Sequence, residues 1–487
     1  MSKMFIPALV LFFAIALTGC GRETVDLSRL DDLIHEINPV EVQLVDAVDH
    51  FEAREAVRTL TISLMSTRFV NRMDDLAEMY MAANPDVVIQ FTEYLEVLMG
   101  VDMDQFVASL STQLMAGTAD DLIFTWGREF DFRPYAEAGL LQDWFALMEA
   151  DPLFEADDFY MNVFEAAAYN GRLYKLPTTF GYEMVAVNNT IPGAAAMFGQ
   201  HSAVSIADLL YIYANTPAGD GLYLFRMFDV LFGTGRYLHP FLDIENRTAD
   251  FDSEQFINYI ESARRATNFD SGAEFDMIGR TSFSTAELMA LSERYYFIYY
   301  FLGVGGSTTH YQFLIPSDDE LLFGGHLPVV NDEGHLLISA RDNLFLNSQS
   351  SPEMQELAWD FIRFTQNPDN HDTDSWGWAV TPFSVYRPLM HLYLEQQVPR
   401  FITLFTTEFG RQISVSQDEA IWHVTQVLDE IQRMPMVTFP FVGQQLNDII
   451  DDILGRFHNG LISAEQAAAD LQSQVMLVLL EIEMELR

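Results

Sequence analysis

The apolar positions between Leu60 and Phe124 follow two different periods. Every second residue is apolar from Leu60 to Leu64, which is typical of a half-buried strand. From Met73 to Ala83 the apolar residues recur at spacings of three and four, which predicts a helix that Asn84-Pro85 ends. On this basis strands are predicted at Leu60–Met65, Val87–Phe91 and Leu122–Phe124, and helices at Met73–Ala83 and Phe106–Met115. Strands separated by single helices favour a parallel sheet that is covered on both faces.

Local signals mark the ends of further helices. Gly117 follows the second predicted helix at a position where glycine commonly adopts the left-handed conformation. Near the end of the chain, isoleucine and leucine residues at helical spacing predict a helix over Asn447–Phe457. Ser463 and Gln466 have the spacing of a capping box, which predicts the start of a last helix.

The first twenty residues have the organisation of a bacterial lipoprotein signal. Lys3 gives a basic start, the stretch from Phe5 to Leu17 is apolar, and Leu17-Thr18-Gly19-Cys20 resembles a lipobox. The apolar stretch is too short to span a bilayer comfortably. We therefore expect residues 1–19 to be a signal peptide and lipid, such as palmitate, to be attached to Cys20. The lipid would anchor the chain to the outer face of the cytoplasmic membrane, and residues 20–57 would form a tether.

Charge and cysteine content exclude several classes of protein. The formal net charge of −45 would repel a phosphate backbone, which excludes nucleic acid as a partner. Cys20 is the only cysteine, so no disulfide can form within the chain and the core alone must hold the fold. A hydrophobic content of 49% favours a large packed body over disorder, and 487 residues predict two or more domains.

The sequence carries no motif of a catalytic or cofactor site. It contains no nucleophile elbow, zincin helix, Walker loop or dinucleotide fingerprint. Asn370, Asp372 and Asp374 alternate like the start of a calcium loop, but the later positions lack the glycine and glutamate that such a loop needs. We therefore predict no catalytic residue, no metal and no cofactor, and we read the acidic segment as a solvated loop.

Aromatic residues beside the predicted sheet are the main candidates for ligand contact. Trp126 and Arg128 follow the strand that is predicted to end at Phe124, and ligands of open α/β sheets bind at the carboxyl ends of strands. Sugars pack their C–H faces on aromatic rings and need polar groups for their hydroxyls. Ordinary core packing is the alternative for each ring. The other candidates are Tyr182, Glu183, Tyr299 and Tyr300 in the run Tyr295–Phe301, Trp376 and Trp378.

Seven segments carry motifs that occur in the same order in one known family. Tyr169–Pro177 is similar to Asn-Gly-Lys-x-Tyr-x-x-Pro, and Gly460–Ala467 to a closing Gly-x-x-Ser/Thr-x-Glu-x-Ala. Ser351–Phe364 has the alanine and paired aromatics of a helix that packs on the sheet. The other segments are Leu76–Val88, Ala116–Phe124, Tyr135–Asp143 and Val187–Pro192. Together they resemble family 1 extracellular solute-binding proteins, the maltose-binding-like class that serves ABC importers.

The resemblance implies an α/β fold of two lobes with the architecture of periplasmic binding proteins. Each lobe would be a mostly parallel sheet flanked by helices, and hinge strands would join the two lobes. Lobe 1 is expected at 58–181 and 316–376, and lobe 2 at 183–314 and 380–487.

The same resemblance assigns hinge crossings and cleft residues. The crossings would fall near Phe180–Glu183, Phe313–Pro316 and Trp376–Pro382. The implied cleft residues are Trp126 as an aromatic wall, Arg128 as the neighbouring cation, Glu183 as the cleft acid, Tyr299, Tyr300 or Phe301 as a second ring, and Phe439 and Phe441 as late rings.

The function that the resemblance implies is solute capture rather than catalysis. We expect a monomeric binding lipoprotein that closes over a mono- or oligosaccharide and delivers it to the permease subunits of an ABC importer. A peptide or organic-anion receptor of the same fold is the alternative, with Arg128 as its carboxylate anchor. A lipid-anchored glycoside hydrolase and a surface adhesin are two further alternatives.

Overall fold

A computed structural model gives the structure of the chain. It describes residues 57–64, 73–94, 103–125, 131–191, 201–215, 238, 240–244, 246–266, 297–303, 323–371, 383–407, 413, 415–438 and 443–485. The predicted signal peptide, Cys20 and nearly all of the predicted tether lie outside these residues.

Strands and helices alternate along the described chain. The strands are β1 (Arg58–Leu64), β2 (Val87–Glu93), β3 (Leu122–Thr125), β4 (Leu176–Asn188), β5 (Val204–Ser205), β6 (Leu242–Asp243), β7 (Thr248–Ala249), β8 (Phe297–Gly303), β9 (Phe323–Val330), β10 (Leu336–Leu346), β11 (Phe383–Ser384) and β12 (Met436–Thr438). The α-helices are α1 (Met73–Ala83), α2 (Met103–Ala116), α3 (Arg133–Glu137), α4 (Trp144–Ala150), α5 (Met161–Ala167), α6 (Ile206–Asn215), α7 (Glu254–Ala266), α8 (Pro352–Gln366), α9 (Arg387–Thr407), α10 (Gln417–Ile431), α11 (Gln444–His458) and α12 (Ala464–Glu485). Two short 3₁₀ helices lie at Ala156–Asp158 and Pro368–Asn370.

The main sheet combines parallel and antiparallel pairing. β1 runs parallel to both β2 and β3, as expected for strands joined by crossover helices. The long strand β4 pairs antiparallel with β8, β9, β10 and β11, and β10 also pairs antiparallel with β3. Short parallel ladders join β5 to β9 and β12 to β10. The predicted α/β fold class, a sheet flanked by helices, is confirmed.

The elements predicted between Leu60 and Phe124 are present with small shifts at their ends. α1 has the bounds that the apolar spacing predicted, because Met73, Leu76, Ala77 and Tyr80 form its buried stripe. Gly117 follows α2 with a φ of 70°, and the Thr118 N–H donates to Gln113 O at 2.9 Å. That bond is part of a Schellman ending, so the prediction for Gly117 is confirmed.

Two large hydrophobic cores lie against the sheet, and β4 contributes to both. Tyr182, Met184 and Ala186 belong to the first core, whereas Val185 and Val187 belong to the second. Successive side chains of a strand point to opposite faces, so the two cores cover opposite faces of β4 at this point. The predicted first crossing, Phe180–Glu183, lies within β4.

Helices are shared between the cores in a way that the chain order does not show. The first core contains residues of α1, α4, α5 and α8, and also Leu394 of α9 and Val424 of α10. The second core contains residues of α6, α7, α11 and α12. A third, smaller cluster packs α2 and α3 on the sheet through Ile123 and Phe345. The lobe boundaries implied by the resemblance remain a prediction.

Candidate functional site

One face of β4 changes from polar to apolar along its length. Val185 and Val187 pack in the second core on this face. The alternation of strand side chains places Gly181 and Glu183 at the same face, with Thr179 next in the series. Thr179 and Glu183 are both buried. This face therefore carries polar side chains where the opposite face, with Phe180 and Tyr182, is continuous first core.

A distorted residue of β10 lies beside this polar stretch. Asp342 has a φ of 52°, in the left-handed region that non-glycine residues rarely occupy. Its buried carboxylate accepts a hydrogen bond from Thr179 Oγ1, with 2.7 Å to Oδ2, and its carbonyl oxygen accepts one from Thr178 Oγ1 at 2.9 Å. Ala340 and Leu344, two positions away on either side, belong to the first core. The distortion thus lets an acid occupy a strand position whose regular neighbours are core residues.

The next residue, Asn343, joins β10 to β3, which is the third strand of the site after β4 and β10. It pairs with Thr125, the last residue of β3, and Thr125 Oγ1 donates to Asn343 O at 3.4 Å. Asn343 Nδ2 donates to Ala340 O at 3.3 Å. The buried Oδ1 atom accepts no hydrogen bond from the described part of the chain. We call the set Thr125, Thr179, Glu183, Asp342 and Asn343 the polar belt.

The polar belt lies between two apolar regions on one face of the sheet. Ile123 and Phe345 belong to the cluster under α2 and α3, and Val185 and Leu337 belong to the second core. Asn343 Oδ1 has no partner among the described residues, and an unsatisfied buried polar atom commonly marks a place for water or a ligand. The belt also lies at the carboxyl end of β3, where open α/β sheets bind ligands.

Two of the predicted site residues have described side chains. Tyr182 is fully buried in the first core, with its ring 6.5 Å from the ring of Phe180, whereas Glu183 is buried on the belt side of β4. The sheet register pairs Tyr299 with Val185 and Tyr300 with Met184. Phe301 pairs with Glu183. The binding role of each remains a prediction.

The other predicted site residues lie outside the described part of the chain: Trp126, Arg128, Trp376, Trp378, Phe439 and Phe441. Trp126 follows Thr125 directly in the sequence. Asn370, from the rejected calcium loop, ends a 3₁₀ helix and donates to Phe364 O at 2.8 Å. Asp372 and Asp374 lie outside the described residues, and no group of three potential metal ligands occurs among those that are described.

Sequence reasoning missed Thr179, Asp342 and Asn343. Of these three residues, Thr179 lines a small cavity of about 30 Å³, together with Thr178, His371 and Ser384 among others. A signal for the site was present, since Arg341-Asp342-Asn343 interrupts an otherwise apolar strand. A charged residue inside a buried strand needs a partner or a function, so this segment is a candidate for a site.

A second polar cluster is structural. Trp359 Nε1 of α8 donates to Asp151 at 2.8 Å, and the Tyr80 hydroxyl of α1 donates to Asp360 at 2.7 Å. Burial, followed by the bond to Asp360, raises the pKa of Tyr80. The cluster ties α1 and α8 to the end of α4 and contacts neither β4 nor β10 through these bonds.

No protein-family model matches the sequence, and no curated protein sequence matches it. Solved structures do match. The sugar-binding protein MalE from Xanthomonas citri has a TM-score of 0.54 at 12% identity, with 88% of this chain and 98% of that chain covered. A periplasmic oligogalacturonide-binding protein from Yersinia enterocolitica has a TM-score of 0.52 at 13% identity, with 88% and 100% covered. A family 1 extracellular solute-binding protein from Alicyclobacillus acidocaldarius has a TM-score of 0.50 at 13% identity, with 87% and 99% covered.

These likenesses establish the fold. The chain has the two-lobed α/β fold of family 1 extracellular solute-binding proteins, as the sequence motifs implied. Within the described residues, no helix combines the length and the apolar character that crossing a bilayer requires.

Proposed function

We propose that this chain is an extracytoplasmic solute-binding protein that captures a carbohydrate by hinge closure. The polar belt carries the proposal, because it places buried hydrogen-bonding groups between two apolar regions in a fold of this class. The names of the similar structures support a sugar as the solute, since two of them bind sugars or oligogalacturonides. The protein would bind and release its solute without making or breaking a bond.

The ligand would meet the belt and two aromatic residues. We place Trp126 at the site because it follows Thr125, whose partner in the sheet is Asn343. For the second ring we favour Phe301 over Tyr300. The reason is the register: Phe301 pairs with Glu183, whereas Tyr300 pairs with Met184, a first-core residue. Tyr182 is less suited to ligand contact because its ring is part of the first core.

The resemblance places the third connection between the lobes near residues 376–380. The helices that contribute to each core support a position later in the chain. α10 contributes Val424 and Leu428 to the first core, and α11 contributes Ile450 and Ile453 to the second. We therefore propose that the segment containing β12 connects the lobes. Native-state hydrogen exchange tests this: the amides of α9 and α10 should share the protection of α8. If they exchanged together with α11 and α12, the earlier boundary would be right.

Calorimetric titration tests the proposed function. The full chain without residues 1–19 would be titrated with a panel of neutral mono- and oligosaccharides, acidic sugars, dipeptides and amino acids. A sugar that binds in the micromolar range or tighter supports the proposal. A response to peptides or amino acids alone would replace the sugar by the alternative ligand class. If chromogenic glycosides were hydrolysed, the chain would be an enzyme.

The lipid anchor and the importer form a separate part of the proposal. The sequence around Cys20 supports lipid attachment, and an anchored receptor keeps a high local concentration beside its permease. A Cys20→Ser protein should bind its solute with unchanged affinity, appear in the medium and support little uptake. Normal uptake by cells that carry this variant would contradict the role in transport while leaving solute binding intact.

A further inference from the structure

A cavity of about 100 Å³ opens beside the turn that joins β9 to β10. A cavity needs about 10–15 Å³ to hold one water molecule, so this one has room for a small organic molecule. Its apolar lining includes Ile206, Phe241, Val330 and Leu337, and its polar lining includes Tyr259, Asn331 and Asp332. We call it the hairpin cavity.

The hairpin cavity and the polar belt lie at different places along β10. Leu337 lines the cavity, whereas Asn343 of the belt follows six residues later in the same strand. At about 3.3 Å per residue, these two positions are roughly 20 Å apart. None of the described residues that line the cavity belongs to the belt. The cavity is therefore a separate place where a ligand could bind.

Two aromatic rings line the cavity together. The ring centres of Phe241 and Tyr259 lie 5.5 Å apart, and the ring planes are tilted by 48°. Tyr259 packs against the second core and its hydroxyl is buried, but the residue as a whole is partly exposed. The face of an aromatic ring attracts cations, and quaternary ammonium ions are bound in this way by sets of rings. The cavity thus offers the aromatic part of a cation site.

The carboxylate of Asp332 is held beside these rings by its own turn. Asn331 Oδ1 accepts hydrogen bonds from the backbone N–H groups of Glu333 at 3.1 Å and His335 at 2.9 Å, which fixes the backbone on both sides of Asp332. Burial raises the pKa of the Tyr259 hydroxyl, and the nearby charge of Asp332 adds to this effect. Among the described residues that line the cavity, none is a lysine, arginine or histidine. The charged group at the cavity is therefore negative.

We propose that the hairpin cavity is a second ligand site and binds a small methylated ammonium ion, such as choline, against Phe241, Tyr259 and Asp332. The apolar lining suits methyl groups, which need no hydrogen-bond partners, whereas a primary ammonium brings three donors that must each find an acceptor. Asp332 would repel an anion. The net charge of −45 attracts cations to the protein in general. This site does not depend on the nature of the solute that the proposed function concerns.

Calorimetric titration with choline tests the site on the chain without residues 1–19. The matched ligand is dimethylbutanol, the uncharged isostere in which carbon replaces the nitrogen. Choline should bind about 10-fold more tightly than dimethylbutanol, because only choline gains from the rings and from Asp332. Cosedimentation with phosphatidylcholine vesicles would identify a lipid headgroup as the source of the cation. Choline binding without cosedimentation would identify a free solute.

Variants of two lining residues locate the bound cation. Asp332→Asn keeps the shape of the side chain without its charge and should weaken choline binding about 10-fold. Glu333→Gln is the control, because it removes the same charge from the next residue of the turn, which is not among those that line the cavity. It should leave choline binding nearly unchanged. Tyr259→Phe keeps the ring and should bind choline like the wild type, whereas Tyr259→Leu should bind it about 10-fold more weakly. Melting temperatures show whether each variant is folded.

Three results would overturn the proposal: no binding of choline, equal binding of dimethylbutanol, or equal binding of choline by wild type, Asp332→Asn and Tyr259→Leu. Equal binding by these three proteins would place the cation elsewhere on the chain. Asp332→Asn should not change the affinity for a sugar. The hairpin cavity and the proposed sugar site can therefore fail independently of each other.

Discussion

The side-chain amide of Asn162 lies 3.2 Å from the carbonyl oxygen of Met434, and it also donates to the carbonyl of Gln432 at 3.1 Å. Asn162 is in α5, and the two carbonyls precede β12. Thr438, at the end of β12, donates in turn to Ala166 O of the same helix at 3.3 Å. α5 therefore holds both ends of the segment that we propose as the third lobe connection.

Replacing Asn162 by alanine should release this segment. The change leaves two carbonyl oxygens without their donor, which costs about 1–3 kcal/mol in a partly buried place. Urea unfolding measures the loss. Asn246→Ala is the control, because its amide donates to Asp243 at 2.7 Å on the exposed surface and its removal should cost little. Equal losses in both variants would contradict a special role for the Asn162 contacts.

The polar belt predicts that Thr179 positions the carboxylate of Asp342. Thr179→Val keeps the shape of the side chain but removes the hydroxyl that donates to Oδ2. We expect weaker binding of the solute together with a loss of about 1–3 kcal/mol of stability, because a buried acceptor loses its donor. Thr179→Ser keeps the donor and should restore the affinity. A Thr179→Ser variant that bound as weakly as Thr179→Val would contradict the positioning role.

A buried and an exposed tryptophan together test how much the packing of the first core contributes to stability. Trp144 is fully buried and its Nε1 donates to Leu344 O at 3.1 Å, whereas Trp422 of α10 is 56% exposed. Trp144→Ala should cost about 3–5 kcal/mol through the cavity that it leaves. Trp422→Ala should change the free energy of unfolding by less than about 0.5 kcal/mol. Denaturant unfolding of both variants measures the two changes in the free energy of unfolding. Similar losses in both would mean that Trp422 is covered in solution.

The sequence predicted those elements whose hydrophobic period is clear. The helix at Met73–Ala83 was found because its buried residues recur at three and four. The strand β4 was not recognised over its whole length, because every residue from Leu176 to Asn188 is buried and no alternation remains. Only the tertiary structure separates its two faces.

The sequence pointed to only some residues of the candidate site, because the rest are brought together by tertiary contacts. The resemblance proposed Glu183, the position after a strand proposed Trp126, and the binding role of both stays a prediction. The contact of Thr179 with Asp342 joins residues 163 positions apart, so no local pattern shows it. The left-handed conformation of Asp342 is a backbone property that hydrophobic periodicity does not show.

Two glycines should respond to alanine with opposite signs. Gly117 has a φ of 70°, and a Cβ there would lie 2.8 Å from Gln349 Oε1. Gly117→Ala should therefore lower the free energy of unfolding by about 1–2 kcal/mol. Gly455 is inside α11, and a Cβ there would meet nothing within 4 Å. Gly455→Ala should raise stability by up to about 1 kcal/mol, since alanine is the better helix former. Urea midpoints that moved in the same direction would contradict this account.

Burial of Tyr160 should make the protein sensitive to alkali. Burial raises the pKa of its hydroxyl to about 12, while Arg387, whose guanidinium lies 5.8 Å from the ring centre, opposes the shift. An unfolded chain ionises this tyrosine near a pKa of about 10, so between these values the unfolded state binds fewer protons than the folded one. The stabilisation is complete below pH 10 and is lost as the pH rises towards 12, by about 1.4 kcal/mol per pH unit.

Tyr160→Phe should flatten this decline relative to wild type in urea unfolding at pH 9, 10 and 11. Tyr211→Phe, at a side chain that is 70% exposed, is the control and should follow the wild-type curve. Parallel curves for wild type and Tyr160→Phe would show that Tyr160 ionises equally easily in the folded and unfolded states.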